Sequence, residues 1–563
     1  MPLEDSAHLS RLLSGFDKDG FEAITTIRKF NGLGVLAQHR SAHSYDSGIK
    51  KRIYYLRGTP YEMGYLMGLL AEREIAHMTE VFTETVVFSF IGSRILKRIN
   101  LLRDALTQLI ALLSKAEFAN LPQDFREEIQ GIYDGCKEQN AATKVTLDRL
   151  VAMNLGIDVI LAMVYSGNFL LMSFSDIKPV DFTLPMMCNA FSVFGQAAGN
   201  GHYFGRDFMF PTAGVFQETA AMILYDPISP TGQKALPFVS VTAPGMIGCI
   251  SAMNINGVGM GVDMSPAATC DPNHVGINSL LLIRKCIQYG TSVEHIIKIM
   301  GQTRRGVSWS YIVSDGTKDR ACVIESGKSG LQPDPLLFPM KYYQSSLPDY
   351  SFISRYGSAS YENGLMVRWN DYRYPMSYLD FNLKLWESHN KLTGSKCVLQ
   401  KDALSPSGFI NSTWEERNCP SAYYFAPQRK EFNNLIITTN HFIIPEMRFY
   451  AMYPWTAMVV GGKINDIQWR YDALNYLILK ELREKGSIDY QAAKQLIDFL
   501  SPNGPYPSYY AKNSRSRDNR EIRIEGCTSI FDLKKKSVES HYGYYCDEWV
   551  GVTLSNYFDP SLP

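Results

Sequence analysis

The sequence carries no surplus of either charge. Its 56 Lys and Arg balance 56 Asp and Glu, for a formal net charge of zero. A chain without a basic stripe or an acidic tail is not built to hold nucleic acid or an anionic lipid surface through charge. Long uninterrupted apolar runs are also scarce. Residues 81–93 are apolar but end at Arg94, Lys97 and Arg98, while Asn154, Asp158 and Asn168 interrupt residues 150–174. Both stretches are expected to be buried helices, with no transmembrane segment. The first residues, MPLEDSAHLS, hold acids and no apolar core. They do not read as a secretory signal, so a cytoplasmic location is the default expectation.

Close cysteine pairs are missing as well. Ten cysteines are spread between Cys136 and Cys546 without a CxxC, which argues against structural zinc and against a disulfide scaffold. His202 and His441 stand apart, and no HExxH helix, Walker A loop or dinucleotide fingerprint is present. No metal or cofactor is expected. With 45% apolar and 20% charged residues, the composition is that of a folded chain.

What is present is a change of texture near residue 188. Residues 61–175 read as mainly helical: AEREIAHMTEVFTETVVFSF and NLPQDFREEIQGIYDGCKEQ space apolar residues at the helical period. From Cys188 onward AFSVFGQ, GHYFGRDFMF, AAMILYD, ALPFVSVTA and CISAMN are short β-rich runs set off by turn residues. Helix returns in NSLLLIRKCIQYGTSVEHIIKIM and in DALNYLILKELREKG, and CTSIFDLKKKSVESHYG closes the chain as a strand pair. Strands flanked by helix pairs suit a layered arrangement. Segments 331–434 and 500–524, rich in Pro, Ser, Tyr and Asn, are expected to be loop insertions.

Cys188 opens the strand-like NAFSVFG, which turns at Gly199-Asn200-Gly201 into HYFGRDF and brings Arg206 back towards it. Taken alone, this setting also suits a buried strand cysteine acting as a small apolar residue.

An ordered series of segments changes the balance. LRGTPYEMGYLMGLL (56–70), LPQDFREEIQGIYDG (121–135), TLDRLVAMN (146–154), CNAFSVFGQAAGNGHYFGRDF (188–208), PGMIGCISAMNINGVGMGVD (244–263), SYIVSDGTKDRACVIES (310–326), TTNHF (438–442) and the C-terminal pair occur in one order along most of the chain. In this the chain resembles the acyl-coenzyme A:isopenicillin N acyltransferase-like family. Those proteins are autoproteolytic hydrolases with an N-terminal cysteine nucleophile, related to choloylglycine hydrolase and acid ceramidase.

The resemblance implies an α+β fold, a four-layer αββα sandwich. Residues 1–187 would be a mainly helical pro-segment or α-subunit, and 188–563 a β-subunit holding the catalytic core. It implies self-cleavage between Met187 and Cys188, with both fragments staying associated. Part of 160–187 is expected to be a linker that covers the site beforehand. After cleavage the α-amine, with a pKa of about 8, can take the proton of the thiol, ordinarily about 8.5. The substrate would be a small acyl-amide or lipid-like molecule, and the acyl group would rest on Cys188 as a thioester.

The same resemblance assigns catalytic roles to Cys188, Arg206, Asp207 and Asn440. Arg206 would favour the thiolate or orient a carbonyl, and Asn440 would donate to the oxyanion. Asp263 and Arg470 are implied at the substrate. Two positions depart from the family pattern. An Asn followed two residues later by Asp is usual where this chain has Asp207 and Met209, and Asn is frequent where it has Asp263. An ionised carboxylate cannot donate. A phospholipase B-like ester hydrolase with the same nucleophile and a non-catalytic binding scaffold stand as alternatives.

Overall fold

The computed structural model describes residues 3–91, 100–174, 187–212, 214–229, 232, 234–265, 276–307, 309–330, 359–372, 433–448, 466–506, 524–545 and 547–558. After a first helix, α1 (Leu3–Lys18), the chain runs through three strands, β1 (Phe21–Lys29), β2 (Gly32–His43) and β3 (Lys50–Gly58). Four helices follow: α2 (Pro60–Ile91), α3 (Asn100–Phe118), α4 (Gln123–Gln139) and α5 (Leu147–Phe174).

The GTPYE sequence sets the start of α2. Thr59 caps the helix, Pro60 occupies its first turn, and the Glu62 carboxylate accepts from Thr59 N at 2.8 Å, a reciprocal cap that satisfies orphan donors. Gly64 and Gly68 face Gly131 and Gly135 of α4. A Cβ at any of the four would run into a backbone carbonyl or amide of the partner helix, so the small residues permit backbone-to-backbone packing. In α5 two of the interrupting polar residues find partners: Asn154 bonds Gly245 O and Ile247 N, and one oxygen of Asp158 accepts from Ser279 N and Oγ. Both apolar stretches that raised the membrane question lie largely in helices. Among the described residues no helix is long and apolar enough to cross a membrane.

The second half supplies β4 (Met187–Phe194), β5 (His202–Pro211), α6 (Val215–Thr219), β6 (Ala221–Pro227), β7 (Phe238–Thr242), β8 (Ser251–Asn254) and β9 (Val258–Met264). These lead into α7 (Ser279–Tyr289), α8 (Val293–Gln302), β10 (Trp309–Asp315), β11 (Arg320–Ser326), β12 (Ser360–Glu362), β13 (Leu365–Trp369) and β14 (Leu435–Thr439). The chain ends with α9 (Pro445–Arg448), α10 (Asp466–Lys485), α11 (Tyr490–Ile497), β15 (Ile524–Asp532), β16 (Ser537–Gly543) and β17 (Val550–Thr553).

Two sheets result. One has eleven strands in the order β1-β2-β3-β6-β7-β8-β9-β10-β11-β13-β12, and the other six in the order β14-β4-β5-β15-β16-β17. Pairing is antiparallel except between β3 and β6. The smaller sheet lies against the larger, β4 and β5 on β9 and β14 on β11. Strand side chains alternate between faces, and the packing follows. Cys188, Ala190, Phe204 and Phe208 join the core shared with the large sheet. Phe191, Val193, Tyr203 and Met209 join a second core with Leu474, Ile478 and Ile497 of α10 and α11.

Expectation and structure differ at two points. The segment before residue 188 is mainly helical, in α1 and between Pro60 and Phe174, but β1–β3 also contribute three strands to the large sheet that the sequence reading did not foresee. Charges at Lys51, Arg52 and Arg57 hide β3 from a hydrophobicity reading; they are matched by Asp547, Glu74 and Asp226. The supposed insertion 331–434 contains β12 and β13, which extend the large sheet beyond β11. Residues 331–358 and 373–432, and 507–523 of the second insertion, lie outside the described residues. Of the stretch 160–187, part of which is expected to be a linker, residues as far as Phe174 belong to α5 and Met187 begins β4; 175–186 lie outside the described residues.

Candidate active site

The site begins with the close approach of β4 and β5 to β9. The face of β9 towards the small sheet reads Gly259, Gly261, Asp263. A Cβ on Gly259 would sit 2.8 Å from the Phe204 ring, and one on Gly261 would sit 2.8 Å from Cδ of Arg206. Without those side chains, Arg206 lies flat across β9 and reaches Asp263, Nη1 to Oδ1 at 3.4 Å. Cys188, Arg206 and Asp263 are all fully buried. Arg206 also donates from Nη1 to the carbonyl of Asp207 and, at 3.4 Å, to that of Asn189, with its guanidinium 5.1 Å from the centre of the Phe208 ring.

Burial pushes the Cys188 thiol pKa up. The Arg206 charge opposes that shift and Asp263 adds to it. Burial raises Asp263 in turn, against the pull of Arg206 and Arg470. The thiol is therefore held in its protonated form at neutral pH, and a nucleophilic role requires a base.

The backbone of Cys188 is held from the other side. Thr439 pairs with Asn189 in the β14–β4 register, so Asn440, the next residue, falls beside Cys188. Its Oδ1 accepts from Cys188 N at 3.0 Å and from Arg470 Nη2 at 2.9 Å, and its Nδ2 donates to Met264 O at 2.9 Å. All three bonds agree on which end of the amide is oxygen. Arg470, in the first turns of α10, donates from Nη1 to Cys188 O at 2.8 Å and to Asn189 Oδ1 at 2.7 Å. Glu325 holds the segment that follows Asn440. Its carboxylate accepts from Ile443 N at 2.9 Å and Ile444 N at 3.0 Å, and lies 3.5 Å from Arg368 Nε.

The residues singled out in the sequence thus fall into two groups. Cys188, Arg206 and Asp263 share the inter-sheet face, while Asn440 and Arg470 meet at the backbone of Cys188. The Arg470 fork is engaged by the protein itself. Asn440 presents its oxygen, not its NH2, to the nitrogen of Cys188. The side chain of Met187 lies outside the described residues.

Asp207 points to the opposite face of β5 from Arg206. It accepts from Asn189 Nδ2 at 3.0 Å, Thr528 Oγ1 at 2.9 Å and Tyr545 OH at 3.0 Å. Burial raises it to about 6 against these bonds. Its link to the nucleophile runs through Asn189 and Arg470.

Sequence reasoning missed Asn189, Thr528 and Tyr545. Asn189 adjoins Cys188 and could have been found from that position, but the other two join the site only through the β5–β15 pairing and the final loop. His202 lies between Ser192 and Asp319, and His441 beside Thr439. Among the described residues no group of three or more His, Cys, Asp or Glu could hold a metal ion.

No family model matches the chain. It is 28% identical over 546 residues to an uncharacterized protein of Archaeoglobus fulgidus, a match covering 96% of this chain and 70% of that protein. Two mutant forms of the conjugated bile acid hydrolase from Clostridium perfringens are similar in structure at a TM-score of 0.31 each. They are 11% and 12% identical, cover 65% of this chain, and are themselves covered to 92% and 93%. Likeness at that level assigns neither fold nor chemistry, and the site rests on its own geometry.

Proposed function

We propose that this chain is the precursor of a cysteine N-terminal-nucleophile amide hydrolase or acyltransferase, with a four-layer sandwich as its core. Cleavage of the Met187–Cys188 bond would leave Cys188 as nucleophile and base in one residue. The observation that carries the reading is the acceptor on Cys188 N. Asn440 Oδ1, pinned by Arg470, lies 3.0 Å from that nitrogen. In the uncut chain it accepts from the amide, and after cleavage it would accept from the α-amine. The free amine could then take the thiol proton, the thiolate would attack an acyl carbonyl, and the resulting thioester would pass to water or an amine.

The two fragments would remain together. The parallel β3–β6 pairing crosses the proposed cut, as do the buried contacts Lys51–Asp547, Glu128–Arg284 and Asp158–Ser279. The substrate is a small acyl-amide or lipid-like molecule.

The test is the intact mass of the wild type and of Cys188→Ala, with the N-terminus of every fragment identified. Two wild-type fragments, one beginning at Cys188, and an uncut alanine variant are expected. A wild-type chain that stays whole, and labels with a thiol-directed probe at Cys188 no faster than at its other cysteines, would refute the reading.

A further inference from the structure

Self-cleavage raises a chemical problem that turnover does not. Before the bond is cut Cys188 has no free α-amine; its nitrogen is an amide, and an amide nitrogen cannot take the thiol proton. Another group must do so, and it must lie on the buried face that carries the thiol.

The charged groups around that face are few. Arg206 comes from β5 and Arg470 from α10, and neither guanidinium can accept a proton. Asp207 is on the far side of β5, with both oxygens committed to Thr528, Tyr545 and Asn189. The hydroxyl of Ser310, from the neighbouring strand β10, is bonded to Ser265. Glu325, across Ser310 on β11, is committed to Ile443 N and Ile444 N. Among the described residues Asp263 is the remaining carboxylate at this face. It stands at the end of the glycine-lined face of β9, fully buried, and neither of its oxygens has a hydrogen-bond partner among the described residues. After burial, its charge is the other influence that raises the Cys188 thiol pKa. Its ion pair with Arg206, at 3.4 Å, leaves both oxygens without a hydrogen bond, a costly arrangement for a buried carboxylate.

We infer that Asp263 is the general base of the maturation reaction, an inference that rests on the cysteine-nucleophile reading above. Asp263 takes the Sγ proton of Cys188, and the thiolate adds to the carbonyl carbon of Met187. As the tetrahedral species collapses, the C–N bond breaks and the Asp263 carboxyl returns its proton to the nitrogen of Cys188. The product is a Met187 thioester on Sγ and a free α-amine. Water then hydrolyses the thioester, leaving a carboxylate at Met187 and the thiol at Cys188. Arg206, beside the carboxylate, favours its ionised form against the effect of burial and stabilises the thiolate that follows. Once the α-amine exists it takes over the thiol proton, so Asp263 is needed for maturation more than for turnover.

The experiment follows the cleavage of freshly made precursor by mass for the wild type, Asp263→Asn and Asp263→Glu, with folding checked by circular dichroism. Asparagine keeps the shape and removes the base. Its cleavage is expected to fall at least about 100-fold, the lower end of what a positioned base contributes. Glutamate is expected to recover part of the rate, and hydroxylamine to trap the Met187 acyl group in the wild type.

Folded Asp263→Asn that cuts at the wild-type rate overturns the proposal. Should that variant fail to fold, the wild-type pH profile decides. The cleavage rate should rise with pH through one ionisation above the ordinary carboxylate range, and a rate that does not rise with pH above that range overturns it. In both cases a wild type that cuts and a Cys188→Ala that does not leave the cysteine-nucleophile reading standing. A wild type that never cuts overturns the maturation proposal, and it refutes the cysteine-nucleophile reading as well when Cys188 labels no faster than the other cysteines.

Discussion

Replacing Arg470 with Met removes the fork that joins three parts of the site while keeping a side chain of similar length. Arg470 donates to Cys188 O, Asn189 Oδ1 and Asn440 Oδ1 at 2.8, 2.7 and 2.9 Å. Asn440 Oδ1 keeps Cys188 N as a donor, so the acceptors that lose most are Cys188 O and Asn189 Oδ1. An orphaned buried acceptor costs roughly 1–3 kcal/mol. Some of this is returned because the apolar variant no longer buries a guanidinium, leaving a net loss of about 2–4 kcal/mol.

The assay is urea unfolding at neutral pH with Cys188→Ala in both proteins, so that cutting does not confound the midpoint. On the native-cysteine background the same change should slow cleavage, because the orientation of Asn440 then rests on fewer bonds. Arg470→Lys should fall between, since a compact ammonium cannot reproduce a planar fork. A loss under about 0.5 kcal/mol, small against the cost of orphaning even one buried acceptor, together with wild-type cleavage, would refute the argument.

Two further outcomes are expected. Gly261→Ala places a methyl 2.8 Å from Cδ of the fully buried Arg206. It should cost about 1–3 kcal/mol as overpacking and slow cleavage by shifting the guanidinium; an unaltered melting temperature and rate would mean that Arg206 does not lie across β9. Asp158, raised by burial to about 7, binds a proton in the folded state at pH values where the unfolded chain has lost it. Its contribution is therefore complete below about pH 4 and lost as pH rises through about 7. His8 and His202, lowered by burial, act in the opposite sense, so the comparison is with Asp158→Asn. Between pH 5 and 8 the wild type should lose stability relative to that variant, and parallel unfolding midpoints would contradict the assignment.

The elements that could be read along the chain are those whose signal is local. The capped, glycine-spaced start of α2, the helical period of α4, the strand–turn–strand from Cys188 to Phe208 and the polar turn at Asn254 are each written within about twenty consecutive residues. Asn254 Oδ1 indeed accepts from Asn256 N and Val258 N. β1–β3 escaped notice because β1 is a sheet edge with one covered side and β3 buries charges that only distant partners neutralise. β12 and β13 escaped because a polar, proline-rich composition concealed two short strands.

The site divides along the same line. The sequence, through the resemblance, named the candidate residues: a cysteine at a strand start, an arginine on its hairpin partner and an asparagine closing a later strand are each visible locally. Only the tertiary structure decided what each one touches. Strand alternation sends Arg206 and Asp207 to opposite faces, so adjacent residues serve different parts of the site. The β14–β4 register turns the oxygen of Asn440 towards Cys188 N. The missing side chains at Gly259 and Gly261 let the two sheets approach until Arg206 lies across β9 and meets Asp263. A chain read one residue at a time does not contain those relations, because each depends on the pairing of strands far apart in sequence.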